Sequence, residues 1–225
     1  MTGSARGIGR AIAGALDEQG LEVVGVDVLE QADGPCSSTI RADLADPVEC
    51  RRVLDEAGRV DVLVNNAAIV FRTAVEDFTV EEFDRTVAVN MRAVFLLSQA
   101  CAPAMAARGW GRIVNVSSIG ARDGRLAHGT VYAATKAGVT VMARSFARRY
   151  GPAGVTTNVV APGGVETEMV AGIEPETRAQ YLADIPAGRF CAPEEVAAVV
   201  AFLVGESAAF VNGATLDVNG GWYTG

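Results

Sequence analysis

The sequence predicts a doubly wound α/β domain, a parallel sheet with helices on both faces. Short apolar runs alternate with longer amphipathic stretches along the whole chain. Several of those runs are rich in Val, Ile and Leu with no polar alternate, as strands buried on both faces require. Gly or Pro marks many of the transitions, where helices start and stop. The length, 225 residues, suits one domain with a sizeable core, and no repeat, low-complexity tract or linker divides residues 1–225.

Taken in order, the glycine-rich segment Thr2–Gly9 runs into a helix over Ile8–Gln19, which Gly20 stops. A strand at Glu22–Val28 is followed by a second at Thr39–Ala42. A helix over Pro47–Ala57 starts on proline and stops at Gly58, ahead of a strand at Val60–Val64. A long helical pattern over Val80–Arg108, stopped by Gly109, leads to a strand at Arg112–Ser117. Then come a helix at Val131–Tyr150, a strand at Val155–Val160, helices at Glu168–Leu182 and Pro193–Val204, and a last strand at Thr215–Val218. Alternation of this kind gives crossover connections and a sheet covered on both sides. A doubly wound sheet normally opens with a central strand feeding its glycine loop. Only Met1 precedes Thr2 here, so the chain is expected to lack that first strand, with upstream residues missing or the sheet rearranged.

Composition removes some classes of function. There are 27 acidic against 19 Lys and Arg residues, a net charge of −8, and this argues against nucleic acid or an anionic membrane as partner. A hydrophobic fraction of 50% excludes dominant disorder. Cys36, Cys50, Cys101 and Cys191 are scattered, without a CxxC pair or histidines at metal spacing. They read as reduced, packed thiols, with no metal site. No signal segment and no unbroken apolar run of membrane-spanning length is seen, so a cytoplasmic location is expected.

Chemistry enters with the glycine loop. Thr2-Gly3-Ser4-Ala5-Arg6-Gly7-Ile8-Gly9 reads TGxxxGxG. Glycines permit close backbone approach, and the helix N-terminus offers unpaired N–H groups to a pyrophosphate. Asp27 closes the next strand, where a carboxylate accepts hydrogen bonds from adenosine ribose hydroxyls and repels a 2′-phosphate. NAD is therefore expected, with NADP the alternative, and Arg6 is the residue able to offset the repulsion. Tyr132 and Lys136 stand four apart and share one helical face. A neighbouring ammonium favours the ionised phenol, and lowering its pKa by about 3 units takes about 4 kcal/mol of differential interaction. Such a tyrosine exchanges a proton with an alcohol or ketone while hydride moves to or from a nicotinamide. Ser117 and Ser118 end the strand, on the side where ligands bind in open sheets.

Thr2–Gly9, Asn65-Asn66-Ala67-Ala68, Ser118, Tyr132 with Lys136, and Pro162-Gly163 occur together, in order, on the expected elements. The set resembles the classical short-chain dehydrogenase/reductases, which are Rossmann-like, over essentially the whole chain. The resemblance implies that Tyr132 is the general acid/base, that Ser118 orients the substrate oxygen, and that Lys136 holds the nicotinamide ribose and lowers the tyrosine pKa. It implies that Asn90 holds a water in the proton relay. It places Asp43 and Leu44 beside the adenine, and Pro162, Gly163, Val165 and Thr167 beside the nicotinamide amide. Gly3, Ser4, Arg6, Gly7, Ile8, Gly9, Asn66, Ala67 and Ala68 complete the cofactor set, although Ala68 stands where the family usually has glycine. A homo-oligomer, dimer or tetramer, is implied through the Ala-rich stretches Ala100–Ala107 and Ala133–Val139.

The family's variable substrate segments fall at Ile69–Ala74, Ile119–Thr130 and Glu168–Pro186. Arg122, Asp123, Arg125 and His128 in the second form either a polar pocket wall or a solvated loop. Met169, Ile173, Tyr181, Leu182 and Ile185 in the third form either a lid or a packed helix. Trp222 and Tyr223 reach either the pocket or a subunit interface. The expected activity is NAD-dependent interconversion of a secondary alcohol and a ketone. A 3-oxoacyl-carrier-protein reductase using NADPH is the alternative within the family, and a non-catalytic nucleotide-binding protein the alternative outside it.

Overall fold

The computed structural model describes residues 1–31, 33–124 and 129–225, apart from the side chains of Asp123 and Met169. Among the described residues six parallel strands are present: β1 (Val24–Asp27), β2 (Ser38–Arg41), β3 (Val62–Asn65), β4 (Gly111–Val116), β5 (Val155–Pro162) and β6 (Thr215–Val218). Each falls on a run expected from the sequence. β4 and β5 are buried at every residue, which accounts for their lack of polar alternation.

The strands form two groups, β2-β1 and β3-β4-β5-β6. Residues Met1–Gly3 lie between them. Thr2 bridges Val26 in parallel, and its N–H donates to Val64 O at 3.0 Å. Gly3 N–H donates to Val26 O, and Val26 N–H to Met1 O. The slot that a full central strand occupies in a doubly wound sheet is thus filled here by three residues. They join the two groups at the end that feeds the glycine loop.

Helices α1 (Gly7–Glu18) and α9 (Pro193–Val204) pack together over one face, where Ile12, Leu16, Val64, Val114, Val160, Val200 and Leu203 form the core. On the other face α2 (Pro47–Ala57) and α4 (Ala93–Ala107) cover Leu63, Ile113 and Val155, with Leu97 and Met105 buried among them. The helix α6 (Thr130–Tyr150) lies beside α4.

Two helices depart from expectation. Val80–Arg108 is not one regular helix: α3 (Val80–Val87) and α4 are joined by a π-helical turn over Ala88–Arg92. That turn is centred on the buried Asn90, and irregularities of this type re-aim a side chain. The run Val80–Ala107, 28 residues long, does include an 18-residue stretch with the mean hydropathy of a membrane span, 1.2, which a search for unbroken apolar runs misses. Half of its apolar window is buried against the rest of the fold. Glu168–Leu182 is likewise two helices, α7 (Glu168–Ala171) and α8 (Pro175–Asp184), with Pro175 starting the second. A further short helix, α5 (Gly120–Asp123), follows β4.

Asn66 and Thr2 clasp the loop ends together. Thr2 Oγ1 accepts from the N–H of both Asn66 and Ala67 at 3.1 Å, and Asn66 Nδ2 donates to the carbonyls of Thr2 and Gly3. Thr2→Val keeps the shape and removes the acceptor, leaving two N–H groups without it. It is expected to cost about 1–3 kcal/mol, read as a lower urea midpoint at unchanged m-value.

Candidate active site

A cleft of about 620 Å³ opens at the carboxyl ends of the strands, beside the junction of the two strand groups. This is the switch point at which open α/β sheets bind ligands. Its walls include Gly3, Arg6, Gly7, Ile8, Gly9, Asp27, Asp43, Leu44, Asn66, Ala67 and Ala68 at one end. Ser118, Tyr132, Lys136, Pro162, Gly163, Val165 and Thr167 line the rest. Most of the expected site residues therefore share one cavity.

The glycine loop has room for backbone alone. A β-carbon at Gly9 would fall on the carbonyl oxygen of Gly3, and one at Gly3 would stand 2.7 Å from Asn66 Nδ2. The loop ends at Arg6, the N-cap of α1, with no side chain capping that helix. Its first N–H groups are thus available to an anion. Asp27 receives Ala5 N–H on Oδ2 and Leu29 N–H on Oδ1, both at 3.0 Å. This fixes the carboxylate at the cleft wall with lone pairs to spare for ribose hydroxyls. Asp43 caps Ala45 N–H and pairs with Arg85 at 2.8 Å, and these bonds hold its carboxyl below the usual range against its partial burial. Uncapped helix donors, a glycine cradle and a ribose-facing carboxylate fit a nicotinamide dinucleotide.

Ser4 and Asn90 lie outside the cleft wall. Ser4 is buried, and its hydroxyl donates to Gln31. Asn90 is fully buried. Its Oδ1 accepts from Ile69 N–H at 2.9 Å, and its Nδ2 donates to Ile69 O and, at 3.4 Å, to Thr135 Oγ1. The side chain clamps the segment after β3 instead of facing the cleft, where a water-holding amide was expected. Ala68 causes no strain, since no non-glycine residue among those described has a positive φ.

The reactive groups come from β4 and α6. Pairing with β5 continues past β4, through Ser117 N–H to Val160 O and Ile119 N–H to Pro162 O, and this fixes Ser118 between them. Ser118 Oγ accepts from Gly120 N–H and hydrogen-bonds Tyr132. Ser117 turns the other way, to Lys136 O and Thr140 on α6. Lys136 Nζ, 3% exposed, donates to Val116 O at 2.7 Å and stands 5.7 Å from the centre of the Tyr132 ring. The ionisation differs from expectation. Burial raises the Tyr132 pKa above its ordinary value of 10, opposed by the Ser118 hydrogen bond, and burial lowers that of Lys136 to about 8. In the protein alone, desolvation outweighs the Ser118 hydrogen bond at the phenol and governs the ammonium as well.

At the far end the cleft is apolar. Val170, Ile173, Tyr181, Phe190 and Trp222 line it, and Tyr181 meets Trp222 at 5.3 Å between ring centres. Trp222 is therefore a pocket residue, 6% exposed, and the third variable segment forms part of a wall. Phe190 was not anticipated, because only the long-range pairing of Val165 with Cys191 brings it there. Gly164 permits that approach: a β-carbon there would stand 2.5 Å from the Phe190 ring. Arg122 does not face the pocket; it pairs with Asp217 and lies over the Tyr223 ring. The Asp123 side chain, Arg125 and His128 lie outside the described residues. Arg72 and Glu168 join the lining from the first and third variable segments, and Arg85 joins it without having been expected there.

Residues 3–223 match the family model described as Enoyl-(Acyl carrier protein) reductase. The 3-oxoacyl-[acyl-carrier-protein] reductase FabG of Escherichia coli (strain K12) is 38% identical, across 99% of this chain and 96% of its own. The cis-4-hydroxycyclohexanecarboxylate dehydrogenase of Sinomonas cyclohexanicum is 39% identical, across 99% and 94%. Among solved structures, a provisionally assigned NAD(P)-dependent gluconate 5-dehydrogenase from Beutenbergia cavernae, with NADP bound at low occupancy, superposes with a TM-score of 0.92. It is 36% identical over 98% of this chain and 94% of that one. With the glycine cradle, the Ser118–Tyr132–Lys136 group and these likenesses in agreement, the chain belongs to the short-chain dehydrogenase/reductase family.

Proposed function

We propose that this oxidoreductase interconverts a secondary alcohol and a ketone with NAD(H) as the working cofactor. The observation that carries the reaction is the convergence of Ser118, Tyr132 and buried Lys136 on one stretch of the cleft. Asp27 at the ribose end supports NAD(H), since its carboxylate would repel a 2′-phosphate. The Beutenbergia structure contains NADP, so this preference is a property proposed for this chain.

A bound nicotinamide supplies the hydride acceptor or donor. The chain's own residues handle the oxygen and its proton. Ser118 offers its hydroxyl hydrogen to the substrate oxygen, with one Oγ lone pair already fixed by Gly120 N–H. Tyr132, in reach of that same oxygen, takes the proton in oxidation and returns it in reduction. Lys136 spends one N–H on Val116 O and keeps two for ribose hydroxyls. Asn90 acts as a positioning residue through Ile69. The aromatic wall suits a substrate with an apolar or ring-shaped body.

The similarity to FabG favours a second reading, reduction of a 3-oxoacyl group on a carrier protein. A carrier-linked 3-oxoacyl substrate turned over far faster than a free ketone of the same head group decides for it. We also place the enzyme in the cytoplasm as a dimer or tetramer. Four free cysteines suit a reducing compartment, and Phe95 on α4 and Val141 on α6, 39% and 59% exposed, suit a subunit contact. Much of the Ala-rich surface is spent inside the protomer, at Ala102, Met105, Ala133 and Val139. A sedimentation mass of one chain would end the oligomer reading.

NADH is expected to bind more tightly than NADPH in a fluorescence titration; the reverse order would give the cofactor role to Arg6. Tyr132→Phe is expected to lower kcat by about 100- to 10,000-fold while NADH still binds, and no loss of turnover would remove Tyr132 from the chemistry. The depressed Lys136 pKa sets a stability trend. The charged form is a penalty fully present below pH 8, and it fades as pH rises toward the unfolded value of 10.5. After allowing for the lost Val116 bond, Lys136→Met is expected to stabilise the fold at pH 7 by on the order of 2 kcal/mol. That gain should shrink above pH 8 in denaturant titrations, while activity is lost.

A further inference from the structure

Outside the catalytic group, the cleft contains one ion pair that ties its two lips together. Arg6, on the glycine loop, places Nη1 2.7 Å from Oε2 of Glu168, the first residue of α7. The two are 162 positions apart in sequence, and the pair is set by the fold. Thr167 rides over the loop next to it, so that a β-carbon at Gly7 would stand 3.3 Å from the Thr167 methyl. Arg6 and Glu168 both line the cofactor cleft. Of the cleft's other arginines, Arg85 is paired with Asp43.

Arg6 follows Ala5, whose N–H is bonded to Asp27, so the glycine loop carries this cation one residue from a contact of the ribose-end carboxylate. A guanidinium there is the group suited to pair with a 2′-phosphate and offset Asp27. With Nη1 held by Glu168, that compensation is weakened. Arg41, which faces Asp27 in the β1–β2 register, spends its Nε on Val28 O, while Arg6 is drawn to the opposite lip. We infer that Glu168 is a specificity-determining residue: by holding Arg6 across the cleft, it strengthens discrimination against a 2′-phosphorylated dinucleotide. This inference rests on the dinucleotide-binding reading above and adds to it a residue far from the ribose in sequence.

Both side chains are largely exposed, 64% for Arg6 and 70% for Glu168, so the effect is modest and screened by salt. The readout is the ratio of the NADH and NADPH dissociation constants, measured by fluorescence titration on the whole chain at low salt. Glu168→Gln is expected to move that ratio toward NADPH by about fivefold, the size of an exposed ion pair of 1 kcal/mol. In an Arg6→Ala background the same substitution is expected to move it much less. A ratio unmoved by Glu168→Gln overturns the inference, as does a shift equally large without Arg6. The wild-type arm reports separately on the function. A wild type that prefers NADPH removes the proposed NAD(H) preference, while the variants still report on Glu168. A wild type that binds neither dinucleotide overturns the cofactor reading and this inference together.

Discussion

The cleft depends on a clasp between the chain's first residues and the turn after β3. Two groups of parallel strands are bridged by Met1–Gly3, and each supplies part of the site. Asp27 closes β1, while Ser118 follows β4 and Gly163–Thr167 follow β5. Thr2 and Asn66 bind these parts through side chain and backbone alike, so the distance from ribose end to reactive end is set by a handful of polar bonds. Hydrophobic burial cannot set that spacing by itself, since it is non-directional.

The reactive end shows the opposing demands of solvation and chemistry. Lys136 is held in a buried position by one carbonyl, and the site raises one proton affinity and lowers the other. Both shifts favour neutral side chains. In the proposed complex, dinucleotide hydroxyls would meet the ammonium and, in the oxidised form, positive charge would stand near the phenol. Both would favour the charged pair. The catalytic ionisation state is thus a property of the complex more than of the chain. Burying an ammonium is tolerated here because the cleft it serves has to exclude water.

Much of this was legible in the residues. Pro47, Gly58 and Pro193 mark helix limits chemically, and α2 and α9 fall where those residues put them. Valine-rich runs without polar alternates are strands because both sheet faces are covered. The co-occurrence of the glycine loop, Tyr132, Lys136 and Ser118 was enough to assemble one cleft. What escaped notice depends on contacts far apart in the chain. Arg122 and Asp217 are drawn together by the return of β6, and Phe190 reaches Gly164 through an isolated bridge. The π-helical turn has no local marker, because Ala88–Arg92 contains neither Pro nor Gly. The direction of the Tyr132 shift also escaped, because four-residue spacing reports proximity and is silent on solvation.

The segment between β5 and α9 leaves the sheet and returns to nearly the same point. Cys191 N–H donates to Gly164 O, Glu166 N–H donates to Cys191 O, and the wall of the far pocket lies in between. Its two ends are stapled together, so its length is decoupled from the sheet. Doubling a flexible loop costs only about 0.6 kcal/mol of closure entropy. An insertion or replacement between Thr167 and Arg189 is thus borne by the excursion, with the strands and glycine loop left in register. The fold therefore separates what is held constant, a nucleotide cradle, from an interchangeable cover that meets the substrate. Diversification of substrate on this scaffold is a problem of loop exchange, with no redesign of the sheet required.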